Sequence, residues 1–221
     1  MRGGAPPSLD INVAQILIQF IVLLFSLTVH ESAHAWTANR LGDPTARLLG
    51  RISLNPVVHA DVIGTVILPL VAMATGARLI GWAKPVPVNV GRLRHGRRDY
   101  VLVTAAGPAS NLLLALIASM ILAVMPVSPV VLGEVNITVP IAGFLSNAVL
   151  LNLVLAVFNM IPIPPLDGGN VLSGLLPVPA ARAFDQIRPY GIFLLYALMI
   201  SGWFERIVGP PVSFLYSWLP S

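Results

Sequence analysis

From Ile11 to Val29 the chain carries no charged residue, and the next five residues are His30-Glu31-Ser32-Ala33-His34. As a helix rising about 1.5 Å per residue, that run approaches the roughly 30 Å hydrocarbon core of a bilayer. Positions i and i+4 share a helix face, so His30 and His34 can aim their imidazoles at one metal ion. Glu31 stands next to the first histidine, where it can take a proton from an attacking water. Ionisable residues at membrane depth are costly unless they are used.

Composition supports a membrane setting. Only 10% of the 221 residues are charged and 56% are hydrophobic, with mean hydropathy +0.84, whereas a soluble domain carries roughly 25% charge. The expected fold is an all-α polytopic membrane protein, one domain over 1–221, with its catalytic core at about 11–175. The net charge of +4 comes from twelve arginines and one lysine. They fall in loops beside apolar segments, which reads as membrane topology and not as nucleic-acid binding. The absence of cysteine excludes disulfides and cysteine-based metal sites or nucleophiles. Ile11–Val29 reads as an uncleaved anchor, since removing it would remove the helix that leads into the motif.

The first helix is predicted over about Asp10–Asn39, stopped by Gly42 and Pro44. Val62–Ala77 is apolar but short. Ile80–Val88 is proline-punctuated and suits an edge strand. Tyr100–Met125 and Ile141–Ile161 are the second and third spans, and Ile192–Phe204 is the core of a fourth. Arg40, Arg47, Arg51, Arg78, Lys84 and the cluster Arg92–Arg98 all fall between the first two spans, while the loop Pro126–Pro140 has no basic residue. The positive-inside rule therefore puts 40–98 and 162–188 in the cytoplasm and 126–140 outside. This holds only if Val62–Ala77 dips in and returns, or is crossed back by the strand after it. The prediction is thus a three-span core and a C-terminal span, with a re-entrant segment and a short β element between spans one and two.

A catalytic zinc site takes three protein ligands and keeps one open position. Asp167 is the best third ligand, because it follows the third span in a Pro- and Gly-rich break on the same predicted face as the histidines. His59, outside any regular helix, is open to three readings: a spare ligand, a proton donor or oxyanion stabiliser, or a loop histidine with satisfied hydrogen bonds. Asn159 fits a helix-end cap, and Gly107, Pro108 and Asn111 fit close helix packing. His95, among arginines, reads as inert.

Three segments in order, H-E-S-A-H (30–34), G-P-A-S-N (107–111) and N-M-I-P-I-P-P-L-D-G-G (159–169), resemble the site-2 protease family of intramembrane zinc metalloproteases, peptidase M50. N-P-V-V-H-A-D-V-I-G-T (55–65) and G-W-A-K-P-V-P-V-N (81–89) look like its compact subgroup, which has no PDZ or CBS domains. The resemblance implies one Zn²⁺ per chain on His30, His34 and Asp167, Glu31 as catalytic base, and Asn159 holding the substrate strand. It also implies a transmembrane protein or peptide as substrate and a multi-pass place in a prokaryotic cell membrane, with the active site toward the cytoplasm. His59 is expected to assist as a neutral donor to the oxyanion, and Ile80–Val88 to hold the substrate by strand addition. A membrane prenyl-protein endopeptidase shares the zinc motif, but Leu166-Asp167-Gly168 argues against it. Against a non-proteolytic metal-binding protein or transporter stand an intact Glu31 and a single ligand cluster.

Overall fold

The computed structural model describes residues 13–75, 82–126, 131–132, 135–136 and 138–220. Residues 1–12, where the first helix is predicted to begin, the stretch 76–81 and most of the loop 127–137 lie outside the described residues.

Helix α1 spans Val13–Arg40. It ends where Gly42 takes a φ of 111°, so that Gly42 N donates to Asn39 O and Asp43 N to Ala38 O. This is a Schellman closure, and it needs a residue free of a Cβ penalty at that φ. The short α2, Thr45–Leu48, follows. A π-helical turn, Val62–Ile67, runs into α3, Leu68–Thr75. Asp61 caps this insert by accepting from Ile63 N and Gly64 N. Even fully α-helical, Val62–Thr75 would reach only about 21 Å, too short to cross a core of roughly 30 Å.

Helix α4, Arg97–Ala123, contains Pro108. A two-residue hairpin, β1 (Val131–Leu132) with β2 (Val135–Asn136), joins it to α5, Thr138–Asn159. The helices α6 (Asp167–Leu175), α7 (Val178–Asp185), α8 (Gly191–Ile200) and α9 (Trp203–Ser217) complete the order. Three described helices are long and apolar enough to cross a membrane: Gln15–Arg40, Arg97–Ala123 and Thr138–Asn159. Their outward residues, among them Leu17, Phe25, Leu113, Met120 and Phe144, are exposed apolar side chains, as a lipid-facing surface requires.

Helix α4 is central and packs on α1, α5 and α6. Small buried residues, Ala35 and Ala38 on α1 with Ala115 and Ala118 on α4, let the backbones approach. The largest core cluster joins Ala115, Leu145, Val149, Leu153, Val208 and Val212 from α4, α5 and α9.

The C-terminal span corresponds to a bent pair: the helix ending at Ile200 and α9 meet at 82° across Ser201-Gly202, where Gly202 holds a left-handed φ of 77°. One expectation is corrected. The described part of Ile80–Val88 is extended but joins no sheet. Its even-numbered N–H groups are taken inward: Trp82 N by Gly64 O, Lys84 N by His59 O and Val86 N by Glu31. Pro85 and Pro87 on the other side have no N–H to offer.

Candidate metal centre

Ser26, His30 and His34 repeat at four-residue intervals and share one face of α1. Opposite them, α4 presents Val103, Gly107 and Asn111 at the same spacing. His34 Nδ1 lies 2.7 Å from Val103 O, and His30 Nδ1 lies 2.6 Å from Asn111 Oδ1. A carbonyl oxygen can only accept, so His34 carries a proton on Nδ1 and turns Nε2 toward the site. Both histidines are buried.

Gly107 faces the two Nε2 atoms directly. A Cβ built there would come closer than 3.0 Å to both, so glycine keeps open the space in front of them. Asp167 arrives from the other side in the first turn of α6. Gly168 and Gly169 allow this, since any Cβ on either would strike the backbone of Met160–Pro164. Asp167 Oδ2 sits 3.0 Å from His30 Nε2 and 3.4 Å from His34 Nε2. One donor atom from each of the three residues lies within 4.8 Å of the others, the only such group among the described residues. Asp167 Oδ2 is buried between the two imidazoles at ion-pair distance from both. Three donor atoms converging this closely in a dry interior, beside the space Gly107 leaves open, can be shared by a single cation. Two imidazoles and a carboxylate are also an established donor set for a catalytic divalent metal. The residues present therefore fit a metal ion.

Glu31 is buried beside His30, and its Oε2 accepts from Val86 N at 3.2 Å. Arg51, counted in the sequence as a topology charge, is buried instead. Its guanidinium donates to Val58 O, Lys84 O and Pro85 O, tying the loop before the insert to the segment that holds Glu31. Asp43 anchors that segment further along, accepting from Asn89 N at 2.6 Å. Burial opposes ionisation of Asp43, but hydrogen bonds from Thr45 and Asn89 and the nearby Arg92 hold its pKa below the ordinary carboxylate value.

His59 is not in the metal-ligand group. Its Nε2 lies 2.9 Å from Ser53 O, which also accepts from Ser32 Oγ. Nε2 therefore carries the proton and Nδ1, buried and unpartnered, is an acceptor. Burial, joined by the Arg51 cation, pushes the pKa of His59 down against the Ser53 carbonyl and Glu31. A neutral His59 in this tautomer has no free N–H for an oxyanion. Asn159 closes α5 and donates Nδ2 to Leu155 O at 3.0 Å. His95 is an exposed helix-end residue paired with Asp99.

The sequence reading gave Asn111 only a packing role and did not single out Asn152, whose side chain is buried and bonded to Asn111. The available signal was a lone polar residue in the apolar stretch Leu150–Phe158, where an amide needs a partner.

The model of peptidase family M50 matches residues 18–140 and 131–201. The chain belongs to peptidase family M50. Among curated M50-like relatives, "Putative zinc metalloprotease YwhC" of Bacillus subtilis is 37% identical over 181 residues, covering 82% of this chain and 79% of that protein. "Putative zinc metalloprotease Rip2" of Mycobacterium tuberculosis is 32% identical over 191 residues, covering 84% and 69%. No solved structure matches this M50 chain.

Proposed function

We propose that this M50 protein is an intramembrane zinc endopeptidase that cuts peptide bonds within or near transmembrane segments. His30, His34 and Asp167 hold the zinc, and Glu31 is the general base. The observation that carries the reading is the convergence of His30 Nε2, His34 Nε2 and Asp167 Oδ2 in a buried group beside a space that Gly107 leaves open. The zinc metalloprotease names of YwhC and Rip2 support the choice of metal.

When bound, zinc would supply a Lewis acid to polarise the scissile carbonyl and acidify the attacking water. Glu31 takes the proton from that water and returns it to the leaving amine. Val86 N–H fixes Oε2, so Oε1 is the oxygen that exchanges the proton.

The substrate is a transmembrane helix that unwinds locally, since a scissile bond must be free of helical hydrogen bonding. An apolar cavity of about 370 Å³ among Leu23, Leu27, Met73, Leu151, Leu155 and Phe158 suits an apolar segment. Asn159 Oδ1 serves as an acceptor for an unwound substrate N–H group, which is costly to leave unpaired in a membrane. The Ile80–Val88 edge is a weak docking strand, because its even side is already engaged. The N–H groups of Ile52, Ser53 and Leu54 have no acceptor among the described residues. Ile52, Ser53 and Leu54 line a groove with Val29, Ala33 and Trp36 of α1, and their N–H groups are the better candidate donors to an unwound chain.

Exposed Arg40, Arg47, Arg92, Arg94 and Arg98 support a site toward the cytoplasmic side of a prokaryotic cell membrane. The test is cleavage of a panel of single-span substrates by purified protein with zinc and after chelation. The reading predicts cleavage that stops on chelation and returns with zinc. Cleavage that survives complete removal of metal would refute it.

A further inference from the structure

His30 reaches no backbone carbonyl with its Nδ1. It meets instead the side chain of Asn111, the first member of a buried amide chain across three helices. Asn111 Nδ2 donates to Asn152 Oδ1 at 2.8 Å. Asn152 Nδ2 donates to Ser26 Oγ at 2.9 Å and to Ala148 O at 2.8 Å. Asn111, Asn152 and Ser26 are all at most 2% exposed, so water does not compete for these bonds.

The chain has a fixed direction. Ala148 O is a backbone carbonyl and can only accept, so the Asn152 atom facing it is the NH₂ group. The other end of Asn152 is then an oxygen, and it demands the NH₂ of Asn111. That turns the oxygen of Asn111 toward His30 Nδ1, which must therefore carry the proton. His30 Nε2 is then the nitrogen left to face Asp167 and a metal ion. Reversing any one member would set two acceptors or two donors against each other in a dry interior, a destabilising arrangement.

We propose that Asn152 is a positioning residue for the metal centre: through Asn111 it locks His30 in its Nδ1–H tautomer, ready to ligate through Nε2. His34 obtains the same result directly from Val103 O. The two ligands are thus set by two backbone carbonyls, one adjacent and one two amides away. Ser26 places the third end of the relay on the same face of α1 as the ligands it serves. The proposal rests on the metal reading above, but the tautomer exists without metal and can be measured separately.

The experiment uses full-length protein with ¹⁵N-labelled histidine, stripped of metal, with the His30 tautomer read by NMR and zinc affinity by chelator competition. In the unsubstituted protein His30 is expected to carry a proton on Nδ1. In Asn152→Leu the Asn111 amide can turn over, so Nδ1 of His30 loses its proton while His34 is unchanged, and zinc affinity falls about 10–100-fold. Asn111→Asp added to Asn152→Leu puts an obligate acceptor back at His30 Nδ1, and both the tautomer and most of the affinity should return. A His30 with no proton on Nδ1 in the unsubstituted metal-free protein overturns the proposal, and so does an Asn152→Leu protein with unaltered Nδ1 protonation and affinity. If Asn152→Leu does not fold, the tautomer in the unsubstituted protein still decides. A correct tautomer in a protein that binds no zinc would sink the metal reading and leave the relay standing.

Discussion

The backbone N–H of Val86 donates to Oε2 of Glu31 at 3.2 Å, so a segment more than fifty residues away orients the carboxylate beside the first metal-motif histidine. Arg51 holds that segment by the carbonyls of Lys84 and Pro85. Val86→Pro removes the donor. It should lower turnover of helical and of already extended substrates by a similar factor, about tenfold, with zinc content kept. A loss confined to helical substrates would show instead that the segment holds substrate by strand addition.

Glu31→Gln separates binding from chemistry. The amide is nearly isosteric but cannot take the proton. Zinc content and thermal stability should stay at the parent level while cleavage falls about 10²–10⁴-fold. Parent-level turnover would exclude Glu31 as the base.

Gly107→Ala tests the space in front of the histidines. The added Cβ presses on both Nε2 atoms, so zinc content measured after dialysis should fall by about tenfold or more. A helical glycine that meets nothing within 4 Å, Gly143, is the control: Gly143→Ala should keep its zinc. Equal zinc in both variants would show that Gly107 does not border the site.

The burial of His59 gives stability a pH dependence. Its folded pKa lies below the ordinary 6.5, so the unfolded chain binds the proton more readily. The contribution is complete above about pH 6.5 and is lost as pH falls below it. Thermal midpoints in detergent should therefore decline from about pH 7 to about pH 5. His59→Gln keeps a donor for Ser53 O and should flatten that decline. Identical slopes for the two proteins would contradict the buried, neutral assignment.

Membrane orientation can be read by cysteine labelling, because the chain has no cysteine of its own. Arg47→Cys and Arg94→Cys should both label from the cytoplasmic side, since Val62–Thr75 is too short to change the side of the chain. Labelling from opposite faces would show that the insert and the segment after it cross the bilayer.

The three spans, the i, i+4 histidines and Asp167 were legible because each leaves a local mark: charge depletion, helical spacing, or a Pro-Gly break after an apolar run. The end of α1 was legible in Gly42, which takes the left-handed φ that closes it. What was hidden depends on partners distant in the chain. Arg51 looked like a topology charge because its three carbonyl acceptors come from two other segments. His59 looked like a donor because the bond to Ser53 O, which spends its only N–H, cannot be read from spacing. Asn152 looked like one polar residue in a span until Asn111 and Ser26 stood beside it. The bend between α8 and α9 was masked because the apolar run Ile192–Phe204 continues through Ser201-Gly202.

The central claim is that His30, His34 and Asp167 together hold one catalytic zinc. Metal analysis of purified protein alongside Asp167→Ala tests it most directly. The account predicts one zinc per chain in the parent and loss of most of it in the variant, with the fold retained by circular dichroism. Full zinc retention in folded Asp167→Ala would contradict it.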